Sequence, residues 1–474
     1  MTRLQRRWIQ GPKEPPGQKP PTSPPLPLSG LPLNKSRPNP GPNPLPISPP
    51  LPISPQVPPL RRPYGRGPAV SAFTLGTMRA LGSPAQMQAV VRAALAAGIN
   101  HLETAPAYGP AERFLGQALQ NLAREGQEPP GGWLITSKLL PGCDLASGQE
   151  QLKAILNRLG VPALTTLAVH GLNLNEHLSW ALQGAGAELL AWALGEGLVG
   201  QVGFTSHGDR GLIEGALASG RFSVCGLHLH LLDRQRLPLA RQALSEGIGV
   251  LAISPADKGG QLYAPPAELE ADCAPFHPLE LAYRFLQQQG ISTLSLGAER
   301  AEDLIWAERL SDPGPPSPLP AQTSPPACSP ATAPQIAGGA PATNNNCAST
   351  TAVEMNLEIN VALAVARLDA AAKGRLGSEY CGQCRACLPC PNGLPIPELL
   401  RLRNLALGHG MTAFASERYN LIGRAGHWWE QLNASVCGSC GDCLPRCPHQ
   451  LPIPSLLADT HQRLAAAPRR RLWG

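Results

Sequence analysis

Nowhere in its 474 residues does the chain run through eighteen uncharged apolar residues, which excludes a membrane-spanning helix. The Arg-rich beginning also lacks the apolar stretch of a secretory signal, so a reducing cytoplasm is expected and a disulfide framework is disfavoured. Also missing is a basic face on a folded element. The formal charge of +6 owes much to Arg3, Arg6, Arg7, Lys13, Lys19, Arg469, Arg470 and Arg471 at the two ends, a poor basis for nucleic-acid binding. Residues 1–63 have almost no aromatic side chain but hold 21 of the 54 prolines, so they cannot bury enough apolar surface to fold. A disordered proline-rich tail over 1–65 is expected, with a Pro/Ser/Thr-rich linker over 311–350 and a basic tail over 465–474. What remains, 66–310 and 351–464, is long enough for two separate cores.

Cysteine, by contrast, is plentiful and patterned. Eight of the thirteen fall in two runs, Cys381, Cys384, Cys387, Cys390 and Cys437, Cys440, Cys443, Cys447, each closed by a proline, Pro391 and Pro448. The second has the C-x2-C-x2-C-x3-C-P spacing of a four-iron, four-sulfur (4Fe-4S) site, and the first differs only in a shorter last step. In such runs three thiolates wrap one cluster and the fourth reaches a second cluster. Crossed ligand sets are therefore expected: Cys381, Cys384, Cys387 and Cys447 on one cluster, Cys437, Cys440, Cys443 and Cys390 on the other. Zinc is the competing metal, but its sites usually come as two separated C-x2-C pairs. The remaining cysteines, Cys143, Cys225, Cys273, Cys328 and Cys347, have no metal spacing and read as small buried or loop residues.

The flanks of the two runs repeat. Residues 390–400, CPNGLPIPELL, and 447–457, CPHQLPIPSLL, are one segment written twice, each with a proline, Pro397 or Pro454, where a helix can begin. The stretch 396–432 between them reads helical, giving a small, mainly α-helical two-cluster ferredoxin-like domain over 351–464. Phe414, Trp428 and Trp429 are expected to be core or cluster shielding.

Between residues 72 and 310, short apolar runs at 73–78, 100–103, 133–138, 165–170, 201–206, 222–230, 249–254 and 291–297 alternate with amphipathic helical stretches. Eight strands and intervening helices over about 240 residues predict an α/β fold, a (β/α)8 TIM barrel. An open doubly wound sheet is the alternative, but no Gly-x-Gly-x-x-Gly follows the first strand. Glu103, Lys138 and His170 close successive strands, and Tyr108 lies in the loop after Glu103. Catalytic side chains of a barrel gather at that face. A lysine ammonium beside the tyrosine is expected to stabilise its phenolate and lower its pKa, with Glu103 as counter-charge and His170 orienting a carbonyl oxygen. Such a group suits hydride transfer to or from a carbonyl, with Tyr108 handling the proton.

These residues resemble the aldo/keto reductase family: GINHLETAPAYGPAE at 98–112, Thr136-Ser137-Lys138 and Val169-His170 carry the likeness, over about 66–310. With the cysteine-rich tail, the chain is similar to an iron–sulfur subgroup of that family. The resemblance implies NADP(H), a small-molecule carbonyl or alcohol substrate, a redox partner protein for the clusters, and an Asp, Tyr, Lys, His tetrad in which Glu103 replaces the aspartate. It places Ser206 near the nicotinamide carboxamide, with His207 for the usual asparagine, and Gly226 where many members have a glutamine. The segment Ile253-Ser254-Pro255 lacks the aromatic that often stacks on the nicotinamide. Lys258, Gly259, Gly260, Gly297, Arg300 and Asp303 match the pyrophosphate and adenosine end, the arginine suiting a 2′-phosphate. Nicotinamide delivers two electrons as hydride whereas each cluster passes one, and no flavin motif is visible to split them. The alternative is an iron–sulfur electron-transfer or scaffold protein with a non-catalytic barrel.

Overall fold

The computed structural model describes residues 61–256, 262–310, 348–423 and 432–466, the side chains of 348–356 and 358 excepted. An antiparallel hairpin, β1 (Arg61–Tyr64) and β2 (Gly67–Ser71), leads into β3 (Phe73–Gly76), β4 (His101–Glu103), β5 (Leu134–Leu139), β6 (Leu164–Val169), β7 (Val199–Ser206), β8 (Val224–His228), β9 (Gly249–Ile253) and β10 (Thr293–Gly297). Strands β3 to β10 pair in parallel and in sequence order, and β10 closes on β3. Helices α1 (Pro84–Ala96), α2 (Ala111–Arg124), α3 (Leu145–Leu159), α4 (Asn175–Gln183), α5 (Ala185–Gly195), α6 (Arg210–Ala218), α7 (Leu237–Ser245), α8 (Ala267–Cys273), α9 (Pro278–Gln288) and α10 (Ile305–Leu310) complete this part. The eight expected strands all form, each within a few residues of its run.

Local chemistry sets the helix starts. Ser83 Oγ accepts from the Gln86 N–H at 3.1 Å and Pro84 opens α1; Asp144 and Asp209 cap α3 and α6 in the same way. Each such cap is worth about 1 kcal/mol.

The barrel interior holds a polar layer where many barrels are aliphatic. Thr293 and Thr74 hydroxyls meet at 2.7 Å, Thr74 Oγ1 meets His101 Nδ1 at 2.7 Å, and His101 Nε2 meets Thr136 Oγ1 at 2.8 Å. This chain joins β10, β3, β4 and β5 across the closure. Because both ring nitrogens are engaged by hydroxyls in a buried site, His101 stays neutral, its pKa pushed down to about 3 by burial and then by Lys138.

The hairpin covers the opposite end from the site. Gln201, near the start of β7, donates to Tyr64 O at 3.2 Å and accepts from the Arg66 and Gly67 N–H groups. Gly65 lies at φ 62°, and a Cβ there would sit 2.3 Å from Ser223 O, so no side chain fits. The non-folding tail expected through residue 65 is corrected at its last residues: Arg61–Tyr64 is a strand, held by partners far away in sequence.

After the barrel come α11 (Ala348–Leu376), α12 (Ile396–Gly408), α13 (Thr412–Leu421) and α14 (Ile453–Leu464). Helix α11 begins three residues inside the expected linker and packs on α8 and α9. Arg375 grips Asp272 with two hydrogen bonds, 2.6 and 2.9 Å, and Arg234 grips Asp369 likewise at 2.8 and 3.1 Å. Within the expected helical stretch 396–432, α12 and α13 form, and 424–431 lie outside the described residues. Phe414 is buried there, while Trp428 and Trp429 lie outside the described residues. No helix among the described residues is long and apolar enough to cross a membrane.

His409, at the end of α12, is also buried, and burial lowers its pKa to about 4. Both histidines are neutral when folded but take up protons near pH 6.5 when unfolded, so stability is lost as pH falls below 6.5. Each contributes a slope of about 1.4 kcal/mol per pH unit, down to about pH 4 for His409 and about pH 3 for His101. Urea midpoints should therefore drop from pH 7 to pH 5, less steeply in His409→Asn; a flat midpoint would show that the two rings are not held neutral.

Candidate functional site

The carboxyl ends of the first strands bring four expected side chains together. Glu103 ends β4, Lys138 is the penultimate residue of β5, His170 follows β6, and Tyr108 sits in a short 3-10 turn, Pro106–Tyr108. Lys138 Nζ pairs with Glu103 Oε1, donates to Tyr108 OH at 2.9 Å and donates to Thr104 O at 3.0 Å. Tyr108 OH lies 3.3 Å from Glu103 Oε1, and the His170 ring stands edge-on to the tyrosine, centroids 5.8 Å apart at 90°. The amine also lies 4.5 Å from the centre of the tyrosine ring. Thr104, whose carbonyl completes the lysine's shell, was not identified from sequence because a backbone oxygen leaves no trace in residue type.

Lys138 is 2% exposed and Glu103 5%. A charge so buried persists only when paired, and removing one partner of such a pair typically costs about 3–5 kcal/mol. The expectation that Lys138 lowers the tyrosine's pKa is corrected: burial raises it above the ordinary value, and burial likewise pushes Lys138 well below the usual lysine range. At neutral pH the phenol keeps its proton.

The residues expected around a nicotinamide are placed less simply. Ser206 ends β7, but its hydroxyl donates to Leu172 O at 2.6 Å and accepts from the Gly208 N–H at 2.9 Å. The His207 N–H donates to Asn173 Oδ1, and the His207 ring lies 5.9 Å from that of His228. At Gly226 a Cβ would meet Thr205 Cγ2 at 2.9 Å, so the wall there is backbone. Gly297 ends β10, and the turn beyond it carries Arg300, its side chain exposed, and Asp303, whose Oδ2 accepts from the Glu299 and Arg300 N–H groups. Lys258, Gly259 and Gly260 lie outside the described residues.

The two cysteine runs fold alike. Gln383 and Ser439 occupy matching places with φ 58° and 53°; so do Arg385 and Gly441 at 65° and 83°, and Gly393 and Gln450 at 69° and 52°. Gly393 N donates to Cys390 O and Gln450 N to Cys447 O, and α12 and α14 then start with Pro397 and Pro454 in their first turns. The runs are also interleaved. Asn392, two residues after Cys390, donates to Val436 O beside Cys437, while His449, two after Cys447, stands against Gly382 beside Cys381.

Cys390, Cys437, Cys440 and Cys443 line one cavity with Ile396 and Leu457. Burial, then the neighbouring thiols Cys437, Cys440 and Cys390, raise the Cys443 pKa against its own backbone hydrogen bond; Cys381 is raised by burial and then by Cys384 and Cys447. Among the described residues, no group of three or more His, Cys, Asp or Glu is gathered so as to hold a metal ion. Of the unpatterned cysteines, Cys225 and Cys273 are buried.

No curated protein matches the chain. Among solved structures it is similar to the aldo-keto reductase AKR11C1 from Bacillus halodurans, in its holo form, at 19% identity over 54% of this chain and 92% of that one, TM-score 0.47. It is also similar to the Bombyx mori aldo-keto reductase AKR2E4 in complex with NADP, at 20% identity over 54% and 88%, TM-score 0.44. In sequence, the segment 72–266, from β3 to the residue before α8, matches the aldo/keto reductase family.

Proposed function

We propose that the chain is an oxidoreductase whose barrel interconverts a small-molecule carbonyl and its alcohol, and whose C-terminal region carries electrons through two 4Fe-4S clusters. The observation that carries the first half is Lys138 Nζ held 2.9 Å from Tyr108 OH and paired with Glu103 in a buried mouth of the barrel. Bound NADP(H) would supply or remove the hydride. Tyr108 holds a proton on its phenol oxygen, ready for a carbonyl oxygen beside it; Lys138 fixes the phenol's position, and His170 forms the adjoining wall. The exposed Arg300 beyond β10 suits a nucleotide phosphate.

For the clusters, the donor set fits. Four thiols share one cavity, and each run twists non-glycine residues into the left-handed region, at about 1–2 kcal/mol apiece. Alternating backbone twists of this kind turn N–H groups inward and favour Fe–S and other anionic groups. A single tetrahedral zinc at 2.3 Å needs its sulfurs about 3.8 Å apart. A cubane spans four irons and so holds its four thiolates wider apart than one ion does. Cys381, Cys384, Cys387 and Cys447 would hold one cluster, Cys390, Cys437, Cys440 and Cys443 the other.

A second reading, an iron–sulfur electron-transfer or scaffold protein with an idle barrel, is favoured by the Ser206 hydroxyl being engaged by Leu172 and Gly208, and by the absence of a side chain at Gly226.

Two measurements test these readings. Tyr108→Phe should lower carbonyl reduction by 10²–10⁴-fold, roughly what one general acid supplies, with the cluster absorbance unchanged. Because the phenol's pKa is raised, loss of its proton should not lower the wild-type reduction rate between pH 7 and 10; equal turnover in the variant would remove the tetrad from the mechanism. Separately, anaerobically prepared protein should contain about eight irons and eight acid-labile sulfides, two cubanes' worth, with two 4Fe-4S signals by low-temperature EPR. Zinc without iron would end the electron-transfer reading.

A further inference from the structure

The loop after β8, residues 229–236, leaves the barrel at the same end as Glu103 and Lys138. It touches two partners at once. Toward the barrel, Arg236 Nη2 donates to His207 O at 2.9 Å and Gly208 O at 3.0 Å, the backbone just past Ser206. Toward the C-terminal region, Gln235 Nε2 donates to Gln383 Oε1 at 3.0 Å, and Gln235 Oε1 accepts from Arg385 Nη1 at 3.2 Å. Gln383 and Arg385 are the immediate neighbours of Cys384, and both are in the left-handed region. The same loop is anchored on either side: Arg234 grips Asp369, and Asp233 pairs at 3.5 Å with Arg401, which is 8% exposed.

Among the described residues, nothing equivalent joins the second run to the barrel. Among the described residues, the hydrogen bonds of 433–450 stay inside the C-terminal region, as in Asn392 to Val436 and Arg446 to Pro389. Cys384 and Cys440 are both exposed, but at the second run two apolar side chains, Val436 just before it and Leu444 within it, are exposed as well.

We propose that the two cluster sites have different stations: the one built on Cys381, Cys384, Cys387 and Cys447 faces the nicotinamide end of the barrel, coupled to it through Gln235, and the one built on Cys390, Cys437, Cys440 and Cys443 faces outward. This rests on the cluster and nicotinamide readings above. Gln235 is a positioning residue. It fixes the two residues that flank Cys384, while its chain neighbour Arg236 fixes the backbone beyond Ser206, so a group bound at the barrel mouth and the first cluster share one short hydrogen-bonded bridge. Changes in hydrogen bonding and charge near cluster sulfurs alter a cluster's properties, so the inner cluster should report on what the barrel holds.

The test uses full-length protein, reconstituted anaerobically, reduced with dithionite and titrated with NADPH under EPR. NADPH should shift the g-values of one of the two 4Fe-4S signals, the one altered by Cys384→Ser and unaffected by Cys440→Ser. Gln235→Ala should abolish the shift with iron content and both signals retained, and Gln235→Glu, which keeps an acceptor for Arg385, should restore part of it. A shift confined to the signal that Cys440→Ser alters, no shift in wild type, or a shift untouched in Gln235→Ala overturns the arrangement while leaving two loaded clusters standing. Protein without iron overturns the cluster reading itself, and the arrangement with it.

Discussion

A lysine that is almost wholly shut off from water sets the terms for the barrel mouth. Lys138 cannot keep a charge there without a partner, and the chain supplies Glu103 from the adjacent strand, the Thr104 carbonyl and the Tyr108 hydroxyl. Glu103 has one methylene more than an aspartate, yet the 3-10 turn at Pro106–Tyr108 folds the tyrosine back to within 3.3 Å of the same carboxylate. The three groups are therefore mutually committed, and none could be changed in type without stranding another. Because desolvation raises the phenol's proton affinity, the resting site holds a proton donor rather than a phenolate.

The barrel was legible because its determinants are local. Each strand is a short apolar run that ends on a chemically distinct residue, so the count of eight, the parallel order and the common face of Glu103, Lys138 and His170 followed from spacing. The hairpin was not legible. Its first strand contains Pro63 and reads as more of the proline-rich tail, and what holds the hairpin is the Gln201 side chain about 135 residues away, with Asn100 Oδ1 accepting from the Ser71 N–H. The sign of the tyrosine's shift was missed for a related reason: residue types reveal a neighbouring cation, but the burial that outweighs it is a property of the fold. Thr104, Gln235 and Arg236 act through the backbone or across more than a hundred residues, and no motif marks such contacts.

In the C-terminal region the sequence repeat becomes a structural one. Matching residues take matching backbone twists, although at two of the three pairs one copy uses glycine and the other does not. Glycine adopts that region freely, whereas Arg385 and Gln450 do so against their preference, which is evidence that the loop shape and not the residue sets the conformation. The interleaving of Asn392 with the second run and of His449 with the first means that neither run stands apart from the other. Helices α12 and α14, which follow the two runs, pack together, so the two copies are held as one unit.

That reciprocity bears on how the region meets the barrel. If each run formed an independent site, fixing Gln383 and Arg385 against Gln235 would orient only the first. Because Cys447 belongs spatially with Cys381, and Cys390 with Cys443, anchoring the first loop also fixes the second through α12 and α14. The anchoring is polar and repeated: two bidentate arginine pairs, Arg234 to Asp369 and Arg375 to Asp272, hold α11 to the barrel, and each is only partly exposed. Such forks fix angle as well as distance, which a purely apolar contact of the same size would do less well. The barrel and the cysteine-rich region are thus joined as a framework of set geometry, and the loop that carries Cys384 meets the loop after β8 through Gln235.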